Sequence, residues 1–458
     1  MNPFHNPVFL MRLLKSYLDI DKLWHTTIEE LRRYQDKNLR RIVRYAYTVP
    51  LYHKKYKEHS VHPEDIRGVK DLKKLPLITK DDLRDSYPNG IIPENFDKKH
   101  GFLLSTSGST GKPVFVYYDL LSAIKYVEGF VRMLKAYGGS WSKSKIVLIV
   151  DTKEGTIENA AFQSSILPFL KKFFTLDNIK YLYVGDPIDK LVREVNEFNP
   201  DYIGSDPHML REFAYRKNNG EAEDINPKLV FSSEAMLDSY TRQYIEKAFN
   251  TKVLDTYGAT EAGPMAFECI NGDGYHVNSD FIIMEALDEN GEDVAVGEPG
   301  RLVVTRLYGQ GTPIVRYTGV EDIITPMEPK VSSCGITSDM IKNIGGRSIE
   351  LIHLPDGKTL APFHVTTIPA AVMDKYKCYK IKQFQIIQHS IDNIEVLVVI
   401  DEKLRDVHPP VDVLLKEIEA RFKEAVGSKV NIKVREVEEI EKDKRSDYVR
   451  VVVSHVKP

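Results

Sequence analysis

Five short apolar runs, at residues 145–150, 179–184, 202–204, 229–231 and 252–255, are separated by segments each long enough to hold a helix. Strands joined by such crossovers pair in parallel, and a parallel sheet is covered by helices. The alternation therefore predicts an α/β fold built on a parallel sheet. Upstream, Leu31, Tyr34, Leu39, Ile42, Val43 and Ala46 recur at three and four, which predicts helices between Ile28 and Tyr47. Beyond Gly272 the texture changes to strands and charged turns, as in Phe281–Ala286 and Gly300–Thr305, which predicts antiparallel pairing. The paired glycines in Ile344-Gly345-Gly346-Arg347 interrupt this pattern. We expect a large N-terminal domain over residues 1–344 and a small C-terminal α+β domain over 345–458. In the small domain, Phe384–Gln388, Val396–Ile400 and Val430–Val434 read as strands and Val411–Val426 as an amphipathic helix. With 458 residues, 42% of them hydrophobic, the chain can fill cores of that size.

The run Ser105-Thr106-Ser107-Gly108-Ser109-Thr110-Gly111-Lys112-Pro113 precedes a strand-like Val114–Tyr118. Glycines let backbone N–H groups converge, hydroxyls add donors, and Lys112 adds a compact positive charge, so the loop suits phosphate. It is not the loop of P-loop NTPases, because Gly108 and Gly111 are too close and Pro113 follows the lysine.

This loop resembles the phosphate loop of the adenylate-forming superfamily, which includes acyl-CoA synthetases, adenylation domains of peptide synthetases and luciferases. Asp255-Thr256-Tyr257-Gly258-Ala259-Thr260-Glu261 is similar to its second hallmark. Val43-Arg44-Tyr45-Ala46-Tyr47 and Leu75-Pro76-Leu77-Ile78-Thr79-Lys80 narrow the resemblance to the phenylacetate-CoA ligase branch and its capsular-polysaccharide-type relatives. It implies mixed sheets in the large domain, a small antiparallel barrel-like subdomain and a mobile small domain.

The resemblance implies ATP and AMP contacts for Ser105 to Lys112, for Ser233 and Glu234, and for Asp255, Tyr257, Gly258, Ala259 and Thr260. It gives Lys112, Thr260 and Glu261 catalytic places, with Glu261 holding Mg²⁺; a hard cation does favour carboxylate and phosphate oxygens. In Arg316-Tyr317-Thr318-Gly319-Val320-Glu321-Asp322 either acid could accept the ribose hydroxyls; Asp322 is preferred because Ile323-Ile324 continue it as a strand. Arg347 resembles the hinge arginine. The family's C-terminal lysine has no clean counterpart: Asp447-Tyr448 stands in its place, and Lys444 or Lys442 could reach in from the same loop. Cys269, His276 and Cys334 keep three of the four ligands with which some relatives hold structural Zn²⁺. Two buried cysteines beside a hydrogen-bonded histidine would read the same way. His208 and Phe213 are candidates for a substrate pocket.

These residues imply carboxylate adenylation by ATP followed by acyl transfer to a thiol, with coenzyme A the commonest acceptor. An amine acceptor, AMP transfer to a coenzyme, and a nucleotide-binding relic remain open on sequence grounds. Net charge of −3 supplies no basic field for nucleic acid or membrane surface. The expected partners are a small carboxylic acid and coenzyme A, with a homodimer as the family habit. Three cysteines and an N-terminus without a secretory layout predict a cytoplasmic address.

Overall fold

In the computed structural model, residues 11, 15, 18–106, 113–160, 176–347, 350–441 and 450–456 are described. The helix Ile28–Ala46 begins at Thr27, whose hydroxyl accepts from the Glu30 N–H while the Glu30 carboxylate accepts from the Thr27 N–H. Its apolar face, including Leu39, Ile42 and Val43, is buried in the main core of the large domain.

Strands β1 (Phe102–Ser105) and β2 (Phe115–Tyr118) form an antiparallel pair whose open end bears the phosphate-suited loop. Next come β3 (Ile146–Val150), β4 (Ile179–Tyr183), β5 (Tyr202–Ser205), β6 (Leu229–Ser232) and β7 (Val253–Ala259). They pair in parallel in the order β4-β3-β5-β6-β7, as the alternation predicts. Helices Ile188–Phe198, Pro207–Asn218 and Ser239–Phe249 bury Val195, Phe213 and Ile245 against β3, β5 and β6.

The antiparallel strands continue the same sheet. β8 (Gly263–Glu268) folds back on β7, and β9 (Tyr275–Val277) follows. Strands β10 (Ile282–Leu287), β11 (Gly300–Arg306), β12 (Asp322–Val331) and β13 (Thr337–Arg347) complete an eleven-stranded sheet in the order β10-β11-β12-β13-β9-β8-β7-β6-β5-β3-β4. β7 is therefore parallel to one neighbour and antiparallel to the other, so its carboxyl end lies where the sheet changes character. Ligands of open α/β sheets gather at the carboxyl ends of parallel strands near such switch points.

In the small domain, β14 (Ile352–His353) and β15 (Thr359–Leu360) form a short hairpin ahead of the helix Pro362–Tyr376. Strands β16 (Ile381–Ser390), β17 (Asn393–Ile400), β18 (Asn431–Glu436) and β19 (Val452–Ser454) follow in the sheet order β18-β17-β16-β19. The helix Val411–Val426 turns Leu414, Ile418 and Phe422 into the core of this domain. Tyr240, from a large-domain helix, is buried in that same core, and its hydroxyl donates to the Ile381 carbonyl. The two domains are thus joined by packing as well as by chain. Among the described residues no helix is long and apolar enough to cross a membrane.

Candidate functional site

A cavity of 1760 Å³ opens between the domains, reached by Ser105, Thr106, Ser233, Glu234, Asp255, the Tyr257–Glu261 segment and Asp322 from the large domain. The small domain contributes His364, Lys382 and Arg450.

Thr106 closes the stem of the hydroxyl-rich loop: its N–H donates to the Val114 carbonyl at 3.0 Å and its hydroxyl accepts from the Val114 N–H at 3.0 Å. Ser107, Gly108, Ser109, Thr110, Gly111 and Lys112 lie outside the described residues, as do Lys442, Lys444, Asp447, Tyr448 and the Arg347 side chain. The Arg347 backbone ends β13, paired with Asp322.

Glu261 sits in the tight β7–β8 turn, which requires Gly263 at φ +82°; a Cβ there would lie 2.4 Å from the Tyr308 hydroxyl oxygen. The Glu261 carboxylate is 4% exposed and accepts a hydrogen bond from the Tyr317 hydroxyl at 2.9 Å. Burial pushes its carboxyl above the usual range, while Tyr317 and Lys80 act in the opposite sense. Buried Arg306 donates to the Glu261 carbonyl at 2.9 Å, fixing the turn from behind. Sequence reasoning passed over Arg306, a charged residue at an inward-facing strand position.

Two acids competed for the ribose place. Glu321, at φ +65°, is bound by Lys80 Nζ at 2.6 Å, whereas Asp322 lines the cavity and accepts from the Tyr257 hydroxyl. Of the two, Asp322 is the one among the residues lining the cavity. Arg316 of the same motif faces away: its guanidinium pairs with buried Glu285 at 3.0 Å and donates to the Leu75 carbonyl at 2.8 Å. Its position is architectural.

Ser233 and Glu234 leave β6, with the Ser233 N–H donating to the Ser205 carbonyl at 3.1 Å and Glu234 at φ +70°. Asp255 accepts from the Tyr275 hydroxyl at 2.9 Å, and burial pushes its carboxyl up to about 7. His208 lines the cavity, but Phe213 is fully buried in the core beneath the parallel strands, so it packs and does not contact a substrate.

Cys269, His276 and Cys334 come from the end of β8, from β9 and from the β12–β13 turn, and their ligand atoms lie within 4.8 Å of one another. His276 Nε2 is 3.2 Å from Cys334 Sγ, and its Nδ1 is 3.0 Å from Ser338 Oγ. Burial pushes the imidazole down to about 4, so it is neutral at pH 7, the form that ligates metal. The three donors fit Zn²⁺ in type and spacing.

Asp151, Glu158 and Asp206 also line the cavity, although sequence reasoning did not single them out. The available signal was positional: Asp206 directly follows β5, at the carboxyl end of a parallel strand.

Residues 358–455 match a family model described as the CapK C-terminal domain. Phenylacetate-coenzyme A ligase of Escherichia coli (strain K12) is 29% identical over 349 residues, spanning 73% of this chain and 75% of that protein. Protein CapK of Staphylococcus aureus is 24% identical over 421 residues, spanning 90% of this chain and 85% of that protein. Among solved structures, 2-hydroxyisobutyryl-CoA ligase in its postadenylation state superposes with a TM-score of 0.79 at 18% identity, covering 94% of this chain and 91% of that one. The same ligase in its thioesterification state gives 0.63 at 19% identity, with the same coverage. The fold is that of the adenylate-forming ligases, and the resemblance to phenylacetate-CoA ligases and CapK is borne out.

Proposed function

We propose that this chain is an AMP-forming acid–thiol ligase, which activates a carboxylic acid with ATP and passes the acyl group to coenzyme A. The observation that carries the reading is the convergence of Tyr257, Glu261 and Asp322 on a cleft that the small domain also lines. The similarity to phenylacetate-CoA ligases along three quarters of the chain supports it.

In the first half-reaction a carboxylate oxygen attacks the α-phosphorus, and the bond to the bridging oxygen of pyrophosphate breaks. Tyr257 would flank the adenine, Asp322 would accept the ribose hydroxyls, and Ser105 to Lys112 would hold the β- and γ-phosphates. Ser233, Glu234, Asp255, Gly258 and Ala259 would shape the nucleotide pocket, with Thr260 at the α-phosphate. Glu261 would hold the Mg²⁺ that travels with ATP, neutralising charge on the phosphates. In the second half-reaction the thiol sulfur attacks the acyl carbon and AMP leaves, while the thiol proton passes to solvent. Residues 345–458 would form the moving small domain, with Arg347 near its hinge and Lys444 as the cation brought to the adenylation site. Cys269, His276 and Cys334 would hold a structural Zn²⁺ apart from the cleft.

The test is acid-dependent exchange of labelled pyrophosphate into ATP across a panel of aryl and alkyl acids, followed by addition of coenzyme A and mass detection of the thioester. Exchange followed by thioester is expected. Exchange without thioester would redirect the second step to another acceptor, and silence with every acid, despite ATP binding, would overturn the ligase reading.

A further inference from the structure

Asp206 is 1% exposed, yet it uses only half of its carboxylate. Its Oδ1 caps the helix Pro207–Asn218, accepting from the His208 N–H at 2.9 Å and the Met209 N–H at 3.0 Å. Its Oδ2 has no hydrogen-bond partner among the described residues. A cap needs one acceptor, and asparagine or serine supplies it without a second, charged oxygen. A buried carboxylate oxygen without a donor costs free energy until a donor arrives.

Asp206 is one of the residues lining the cavity, as are Asp151, Glu158 and Glu234. Glu158 accepts from the Tyr126 hydroxyl at 2.7 Å. Burial first, then repulsion from Glu158, Asp206 and Asp151, pushes the Glu234 carboxyl well above its usual range, a condition that a bound cation relieves. Phe130, Met133, Leu148 and Phe231, which pack in one apolar cluster, also line the cavity.

The spacing of these acids speaks against a bare metal ion. Among the described residues the group of three His, Cys, Asp or Glu ligand atoms within 4.8 Å is Cys269, His276 and Cys334, and none of these carboxylates takes part in such a group. A metal ion needs several such ligands drawn together, whereas an ammonium group can donate to one carboxylate and leave its other N–H donors to neighbours or water. These carboxylates also stand apart electrostatically from Glu261, whose carboxyl responds to Lys80 and Glu321.

Resting on the ligase reading above, we propose that the acid substrate carries a primary ammonium group that donates to Asp206, on the acidic side of the cavity where Glu158 also stands, with its hydrocarbon body along Phe130, Met133 and Phe231. The substrate class is then an amino-bearing carboxylic acid, not a plain aryl acid.

The test is pyrophosphate exchange with matched pairs, L-phenylalanine against 3-phenylpropanoate and 6-aminohexanoate against hexanoate, in the wild type and in the Asp206→Asn and Glu158→Gln variants. The aminated member of at least one pair should exchange with a kcat/KM at least about tenfold higher, since hydrogen bonds to charged groups discriminate at that level. Asp206→Asn keeps the helix cap and should erase most of that preference. Equal or reversed preference, a preference that survives both substitutions, or exchange confined to non-aminated acids of a broad panel would overturn this assignment and leave the ligase intact. Silence with every acid while ATP still binds would instead overturn the ligase reading, and this inference with it. The wild-type comparison decides the matter even if a variant fails to fold.

Discussion

Tyr317 donates its hydroxyl to Glu261 Oε1 at 2.9 Å, tying a motif at the start of the β12 segment to the turn at the end of β7. The donor stabilises the ionised carboxylate against the upward push of burial. Removing it in Tyr317→Phe should raise the Glu261 pKa further, so the ionised form that would hold Mg²⁺ becomes scarcer at a given pH. We expect the Mg²⁺ concentration for half-maximal pyrophosphate exchange to rise roughly tenfold, in line with the loss of one hydrogen bond to a charged group. The rise should be larger at pH 6.5 than at pH 8. A Mg²⁺ titration that overlays the wild type at both pH values would separate Tyr317 from the metal role proposed for Glu261.

Glu261→Gln separates charge from shape, because the amide oxygen still accepts from Tyr317. Exchange should fall by a factor on the order of a hundred, the scale of removing one electrostatic contact to a transition state. Stability should hold or rise slightly at pH 8, because a buried carboxylate no longer needs to ionise. Activity loss with a lowered melting temperature would point to a collapsed turn, not to a lost metal ligand.

How far the sequence anticipated this site depends on the range of the interactions. The strands at Ile146–Val150 and Ile179–Tyr183 and the helix Val411–Val426 were legible to within a residue, because each is written in local periodicity and bounded by a break. The helix Pro362–Tyr376 was not, since Pro369 interrupts it and both Val365 and Val372 are fully buried, which leaves little amphipathic signal. The Glu261 turn could be read from its motif, but its support by Arg306 and Tyr317 comes from residues 45 and 56 positions away. No local pattern encodes such pairs. Asp322 could be preferred over Glu321 from the strand that follows it, but the ion pair by which Lys80 holds Glu321, 241 positions away, could not be read locally.

Cys269, His276 and Cys334 offer a test that requires no substrate. Elemental analysis of protein purified without chelators should find about one zinc per chain, since three soft or borderline donors already lie within reach of one ion. Cys334→Ser should lose most of the metal and lower the melting temperature, as expected where a site ties the β8–β9 hairpin to the β12–β13 turn. Metal-free protein with wild-type stability would identify a hydrogen-bonded Cys–His pair in a dry core.

Asp255 supplies a prediction on stability alone. Its carboxyl is pushed from 3.8 up to about 7, chiefly by burial, with Tyr275 and Arg242 opposing. A raised folded-state pKa means that the protonated acid is the favoured form. Its contribution to stability is fully present below about pH 3.8, declines as pH rises toward 7 and is lost above it. Asp255→Asn mimics the protonated form at every pH and keeps an acceptor for the Tyr275 hydroxyl. The variant should therefore gain on the wild type as pH rises, reaching on the order of a few kcal/mol above pH 7 and levelling there. Thermal unfolding of both proteins at pH 5, 6, 7 and 8 measures this directly. A difference in melting temperature that stays constant across the series would mean that Asp255 ionises in the folded chain much as it does in the unfolded one.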